Sequence, residues 1–307
     1  MENEKNKNVP PKVDLSKISN LTAGTNNDSI TRAIEKAKRL QVKPKAEVLK
    51  PQSKFNFVNS SIIDLPSGGK FYDKNDPNLS KGKIEILPIT LKEEEILSTE
   101  RFVQEGTATI KVLDNCIQSN IKAEDLLLYD YSYLLFYLKK ISYQDEHTFS
   151  IQCTNPDCGN IFEAGFKISD LSFNEIPENM KEPYRIDLPQ TEYTVVFEVP
   201  RVRHLKEYDK AQILARKIKD KDFSGLAELF AVRTLAIIDK DGEEVQREDW
   251  RDFFKSLPAK DRRALADESN FENGVSKIME TITCPVCKTV MGGGIPVTDE
   301  LFRFTNE

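Results

Sequence analysis

Apolar residues first recur at helical spacing near the start of the chain, where Ile30, Ala33, Ile34, Ala37 and Leu40 fall on one face. Arg32, Glu35, Lys36, Lys38 and Arg39 turn away from that face, and Asp28 or Ser29 stands where a cap belongs. The pattern predicts an amphipathic helix of about three turns, too short to persist alone, which orders when its stripe docks. Its own body and a neighbouring protein are both open as docking surfaces. Pro44 and Pro51 then mark a linker, and the body opens at Phe55.

Beyond Phe55 the periodicity alternates between the two kinds of element. Leu65-Pro-Ser-Gly-Gly-Lys-Phe-Tyr72 is a turn-rich loop, and Lys83–Leu87 alternates as a strand with Ile84 and Ile86 on one face. Thr90 and Glu93 form a capping box opening a helix through Leu97. Ile110, Leu113 and Ile117 place one face of the next helix inward, with Cys116 beside it as a small buried hydrophobe. The run from Leu126 to Leu138 is the most apolar in the chain; Asp130 and Ser132 interrupt it and Lys139-Lys140 end it, so it reads as a central buried helix. Strands are expected at His147–Gln152, Ile161–Phe166 and Glu192–Glu198, and helices at 202–219 and 223–237. Asp239–Gly242 reads as a turn; Trp250, Phe253 and Phe254 mark a helix face, and Leu257-Pro258 starts a further helix.

The fold class expected is therefore α+β: a helical body with short antiparallel strands, a composite cysteine module and an extended N-terminal arm. The expected parts are an arm over residues 1–54, a body over 55–145, a module formed by 146–175 with 281–300, and a mainly helical insertion over 176–280.

Charge separates the arm from the rest. The formal net charge is -6, but residues 1–54 hold 12 Lys/Arg against 6 Asp/Glu, which leaves 32 against 44 elsewhere. An arm at +6 joined to a body at -12 argues against nucleic acid as a partner of the body, since phosphate binding leaves a basic footprint. The arm also lacks Phe, Tyr and Trp and buries little by itself. No apolar run approaches the roughly 20 residues needed to cross a bilayer, and Met1-Glu-Asn-Glu-Lys lacks a secretory core, so a cytosolic chain is expected. The five cysteines are then expected to be reduced or metal-bound.

Four of those cysteines carry the most specific signal. Cys153 and Cys158 flank Thr-Asn-Pro-Asp, and Cys284 and Cys287 flank Pro-Val. Each pair sits in a tight turn between extended segments, the second between Thr281–Thr283 and Thr289–Met291. Two such knuckles aim four soft sulfurs at one point, a donor set suited to structural zinc, with turn amides offsetting the thiolate charge. Reduced thiols without metal, and a redox role for Cys284-Pro-Val-Cys287, are the alternatives. With 125 residues between Cys158 and Cys284, the site is assembled by tertiary folding and clamps the chain on either side of the insertion.

Catalytic motifs are not recognisable. Gly68-Gly69-Lys70 lacks the length and the Lys-Ser/Thr ending of a phosphate loop and reads as a plain turn. The two histidines, His147 and His204, belong to no metalloprotease helix, His204 reads as a surface residue between Arg203 and Lys206, and Glu93-Glu94-Glu95 reads as a solvated helix face. No catalytic residue and no small-molecule substrate are expected.

The order Leu65–Tyr72, then Ile84-Glu-Ile-Leu-Pro-Ile-Thr90 followed by Glu93–Leu97, then two separated cysteine pairs, resembles the baseplate hub proteins of T-even-like contractile-tailed phages. The resemblance spans about Leu65 to Phe304 and leaves the basic arm outside. It implies a non-enzymatic structural or assembly role in the tail baseplate, in the virion or in the host cytoplasm during assembly. Implied partners are other hub or wedge proteins, with tail-tube or tape-measure components beyond them. Cys153, Cys158, Cys284 and Cys287 match the family's zinc-ribbon cysteines. The first knuckle is wider than usual, and Lys288 stands where a glycine commonly follows such a pair. A zinc-ribbon regulator that binds nucleic acid or polymerase through the arm is the competing expectation; the acidic body and the absence of aromatics among the arm's basic residues oppose it.

Overall fold

The computed structural model describes residues 31–32, 57–171, 176, 180–268, 282–291 and 299–302. Of the amphipathic segment only Thr31 and Arg32 fall among these, and both are helical; the rest of the arm lies outside the described residues. From Phe57 onward the described residues fall into two units, one within Ser53–Asn179, Pro200–Ile213 and Phe271–Glu307, the other within Met180–Val199 and Leu214–Asn270. The architecture is α+β throughout, with short antiparallel sheets. Among the described residues no helix is long and apolar enough to cross a membrane.

In the first of these units β1 (Ser61–Asp64) pairs antiparallel with β2 (Lys83–Ile86). The far edge of β2 is covered by the end of a helix, since Leu87 N–H donates to Cys116 O and Gln118 N–H to Glu85 O, each at 2.9 Å. Helices α1 (Leu91–Ser98), α2 (Glu100–Gln104), α3 (Ala108–Cys116) and α4 (Leu128–Ser142) follow. Thr90 and Glu93 form the expected capping box on α1. Glu93 nevertheless departs from the solvated face expected of it: it is buried, and besides the cap it accepts from Asn115 Nδ2 at 3.1 Å. Ile84, Ile86, Leu113, Ile117, Leu134 and Phe136 have no exposure and form the centre of this unit. The central helix also runs past its expected end at Lys139-Lys140, because Lys139 is itself buried.

Close backbone approach explains the turn-rich loop. A Cβ on Gly69 would stand 2.3 Å from Leu79 O, and one on Gly82 would stand 2.6 Å from the Gly68 carbonyl carbon. Gly69 also has φ +81°, a conformation side chains resist. We expect Gly69→Ala to lower the urea midpoint by an amount equivalent to roughly 3 kcal/mol or more, and Gly68→Ala, with open space around its Cβ, by about 1 kcal/mol.

The second unit is built on a three-stranded antiparallel sheet in the order β5 (Tyr184–Asp187), β6 (Thr194–Phe197), β7 (Thr234–Ile238). Helix α5 (Val202–Ile218) leads into it, followed by α6 (Gly225–Ala231), α7 (Trp250–Ser256) and α8 (Ala259–Glu268). Phe197, Phe230, Ile237, Trp250, Phe254 and Leu265 form its core. Asp261, fully buried, accepts from Gln190 N–H at 2.7 Å and Thr191 N–H at 2.9 Å and so fixes the β5–β6 turn. The helix expected over 223–237 is corrected here: α6 stops at Ala231 and the remainder is β7. The strand is the centre of packing on both faces, Ile237 in one cluster and Ala236 with Ile238 in another, so its sequence is apolar from Leu235 to Ile238 and lacks a period of two.

Candidate metal centre

The two knuckles are carried by hairpins, all within the unit that contains β1–β2. β3 (Glu146–Gln152) pairs with β4 (Ile161–Lys167) in continuous antiparallel register, and β8 (Ile282–Thr283) pairs with β9 (Val290–Met291). The first turn is closed by Cys153 N–H donating to Asn160 O at 2.8 Å and by Cys158 N–H donating to Asn155 O at 3.0 Å. Cys284 N–H donates to Thr289 O at 2.9 Å and Lys288 N–H to Cys284 O at 3.1 Å in the second. The residue after each pair is left-handed, Gly159 at φ +55° and Lys288 at φ +61°. The lysine therefore takes the glycine's conformation despite its side chain.

The sulfurs of Cys153, Cys158, Cys284 and Cys287 lie within 4.8 Å of one another. Two of these approaches join opposite knuckles: Cys153 to Cys287 at 3.5 Å and Cys158 to Cys284 at 3.9 Å. Cys153 and Cys284 are buried, whereas Cys158 and Cys287 are half-buried. Ile282 and Met291 pack with them, and Phe149, Ile151 and Phe162 line the same cluster. The fifth cysteine, Cys116, sits in the core as expected.

Turn amides and the crowding of sulfurs set the charge of the cluster. The Thr289 hydroxyl, 3.1 Å from Cys287 Sγ, and the Thr289 N–H bring the Cys287 thiol down to about 6. The Cys287 N–H, with that of Val286, lowers Cys284. On the first knuckle the Asn155 N–H favours the Cys153 thiolate, but burial and the three neighbouring sulfurs outweigh it and push the thiol to about 12; Cys158 is raised too, its bond from the Asn160 N–H likewise outweighed. The Cys284–Cys287 knuckle thus favours the thiolate form more than the Cys153–Cys158 knuckle does, and the four sulfurs together are a donor set that could hold a divalent cation. Asn155 Nδ2 reaches Thr289 Oγ1 at 3.4 Å, so a polar chain runs from one knuckle through Thr289 to Cys287. Sequence reasoning missed this link, although the Asn155-Pro-Asp157 turn, with Asp157 N–H on Asn155 Oδ1 at 3.0 Å, was a signal for it.

Neither histidine approaches the sulfurs as a further donor. His204 is buried, a correction to the surface position expected of it: its Nδ1 accepts the Arg201 N–H at 3.1 Å, doing for α5 what Glu93 does for α1. His147 is buried on β3, with Lys139 Nζ 2.8 Å from its Nδ1 and 2.7 Å from Leu301 O. Burial, and secondarily the Lys139 charge, hold the His147 imidazole down at about 4. An unfolded histidine protonates near 6.5, so stability present above that pH is lost as pH falls towards 4. We expect a loss of about 1–3 kcal/mol across that window in urea titrations, absent from the pH profile of a His147→Gln variant.

The family described as T4 bacteriophage base plate protein matches residues 58–293, which takes in both knuckles and leaves the basic arm outside. No curated protein and no solved structure matches the chain. The chain belongs to the T4 bacteriophage base plate protein family, and with it to the structural components of the phage tail baseplate.

Proposed function

We propose that this protein is a non-enzymatic component or assembly factor of the baseplate hub, acting through protein–protein contacts, in which Cys153, Cys158, Cys284 and Cys287 hold one structural zinc ion. The observation that carries the zinc assignment is the convergence of four sulfurs within 4.8 Å from segments 126 residues or more apart. Four thiolates leave no open coordination position, which fits a structural site and not a catalytic one. In this reading 146–175 and 281–300 form one module bracketing the 176–280 insertion, with the body at 55–145. The basic arm, residues 1–54, folds onto a neighbouring hub or wedge protein, or onto a tail-tube or tape-measure component, during assembly in the host cytoplasm and then in the virion.

Native mass spectrometry of the purified protein with hub and wedge proteins tests both halves. One zinc per chain, lost to a chelator, and a defined hetero-complex are expected; a metal-free chain that ignores those proteins would overturn the proposal. Removing residues 1–54 is expected to weaken that complex at least tenfold while leaving the unfolding midpoint of the body unchanged. An arm-less protein that assembles normally would remove the arm from the mechanism.

A further inference from the structure

We propose that the four-cysteine cluster is also an oxidation site that closes into two disulfides, Cys153–Cys287 and Cys158–Cys284, so that the knuckles stay joined when the metal is gone. The inference rests on the metal reading for its biological sense, and on the geometry alone for its chemistry. Each pair joins opposite knuckles, at 3.5 Å and 3.9 Å, and needs an approach of only about 1.5–2 Å to reach bonding distance. Each pair also combines one half-buried sulfur, Cys287 or Cys158, with one buried sulfur, Cys153 or Cys284. The half-buried member meets the oxidant and the buried member resolves the product.

With a peroxide as oxidant the step balances. The half-buried sulfur, on losing its proton, attacks the peroxide, an S–O bond forms, the O–O bond breaks, and hydroxide leaves to become water. The buried thiol then gives up its proton as its sulfur attacks the sulfenic sulfur, the S–S bond forms, and the S–O bond breaks with loss of a second hydroxide, which takes that proton to become water. Each disulfide removes two electrons and two protons from a thiol pair. A metal-bound cluster resists, because its lone pairs are engaged. In a reducing cytosol the metal joins the knuckles, and in an oxidising exterior a particle that loses its metal keeps the join covalently.

The test uses the full-length protein. Zinc content is measured first by native mass spectrometry, so that failure of the metal reading is scored separately. The protein is then stripped with a chelator, treated with stoichiometric hydrogen peroxide and mapped by non-reducing peptide mass spectrometry. Cys153–Cys287 and Cys158–Cys284 are expected as the major linkages, with Cys116 left as a thiol and the melting temperature raised by roughly 5 °C or more over the stripped, reduced chain. Linkage within a knuckle, the pairing Cys153–Cys284 with Cys158–Cys287, links between chains, or thiols that survive would each overturn the proposal. A Cys116→Ser variant, which lacks the one cysteine outside the cluster, is expected to give the same two linkages and the same melting shift; a different linkage pattern in that variant would also count against it.

Discussion

A Cys284→Ser chain is expected to lose stoichiometric zinc and, with it, the order of both hairpins that carry the knuckles. Cys284 has no exposure and its sulfur lies 3.9 Å from Cys158, at the centre of the donor set. Serine is a poor ligand for a soft site, and three thiolates crowded without a fourth partner return to shared protons. The hairpin β8–β9 contributes two residues per strand and cannot stand without the sulfurs and their small apolar shell. Because binding free energy at such a site is folding free energy, the loss should be among the largest any single substitution gives, about 4 kcal/mol or more. The measurements are zinc stoichiometry and proteolysis within 282–291. Cys116→Ser, in the core and away from the cluster, should leave zinc binding unchanged. A Cys284→Ser chain that keeps one zinc and the wild-type proteolysis pattern would refute the four-thiolate assignment.

The second large effect is expected at Asp130, where the glycine loop is held to the central helix. Asp130 has no exposure; its Oδ1 accepts the Ser67 N–H at 2.9 Å and its Oδ2 the Tyr72 hydroxyl at 2.7 Å. Tyr72 Oη in turn accepts the Leu127 N–H at 3.0 Å, and Arg201 donates to Phe71 O at 2.9 Å and Asp125 O at 3.0 Å. Burial raises the Asp130 carboxyl above its ordinary range, more than these bonds and the Arg201 charge pull it down. Alanine at 130 would strand two buried donors and leave the Arg201 charge without its neighbour, a loss of about 3–5 kcal/mol in urea unfolding. Asn at 130 keeps one acceptor and should recover a substantial part of that loss, which separates hydrogen bonding from charge. An Asp130→Ala protein within 1 kcal/mol of wild type would show that water replaces the carboxylate.

These two sites differ in how far the sequence revealed them. The cysteine pairs stand out by residue type and local spacing, and the β-rich segments that flank them locate the hairpins. The capping box at Thr90 and the apolar run of α4 were legible for the same reason, since their physics is local. Asp130 was visible only as an interruption of an apolar run, because its partners are 58 and 63 residues away. His204 and Lys139 misled for a related reason: charged neighbours suggest a surface, while a backbone donor at Arg201 and a carbonyl at Leu301 made burial favourable. β7 was hidden by its own success, since a strand buried on both faces loses the alternation that identifies it. Strand β5 was missed although Tyr184-Arg-Ile-Asp187 alternates with a period of two, because four residues are too few to set that alternation apart from chance.

The distance along the chain between the knuckles also sets a clock. Cys153 leaves the ribosome 134 residues ahead of Cys287, an interval on the order of 10 s at ordinary bacterial elongation rates. Through that interval the first hairpin carries two unpartnered thiols and half of a core, while the intervening sheet and helices are still being made. Folding of this unit is therefore gated by synthesis of the second knuckle, and a translational pause between the two would lengthen the time during which a nascent chain exposes them.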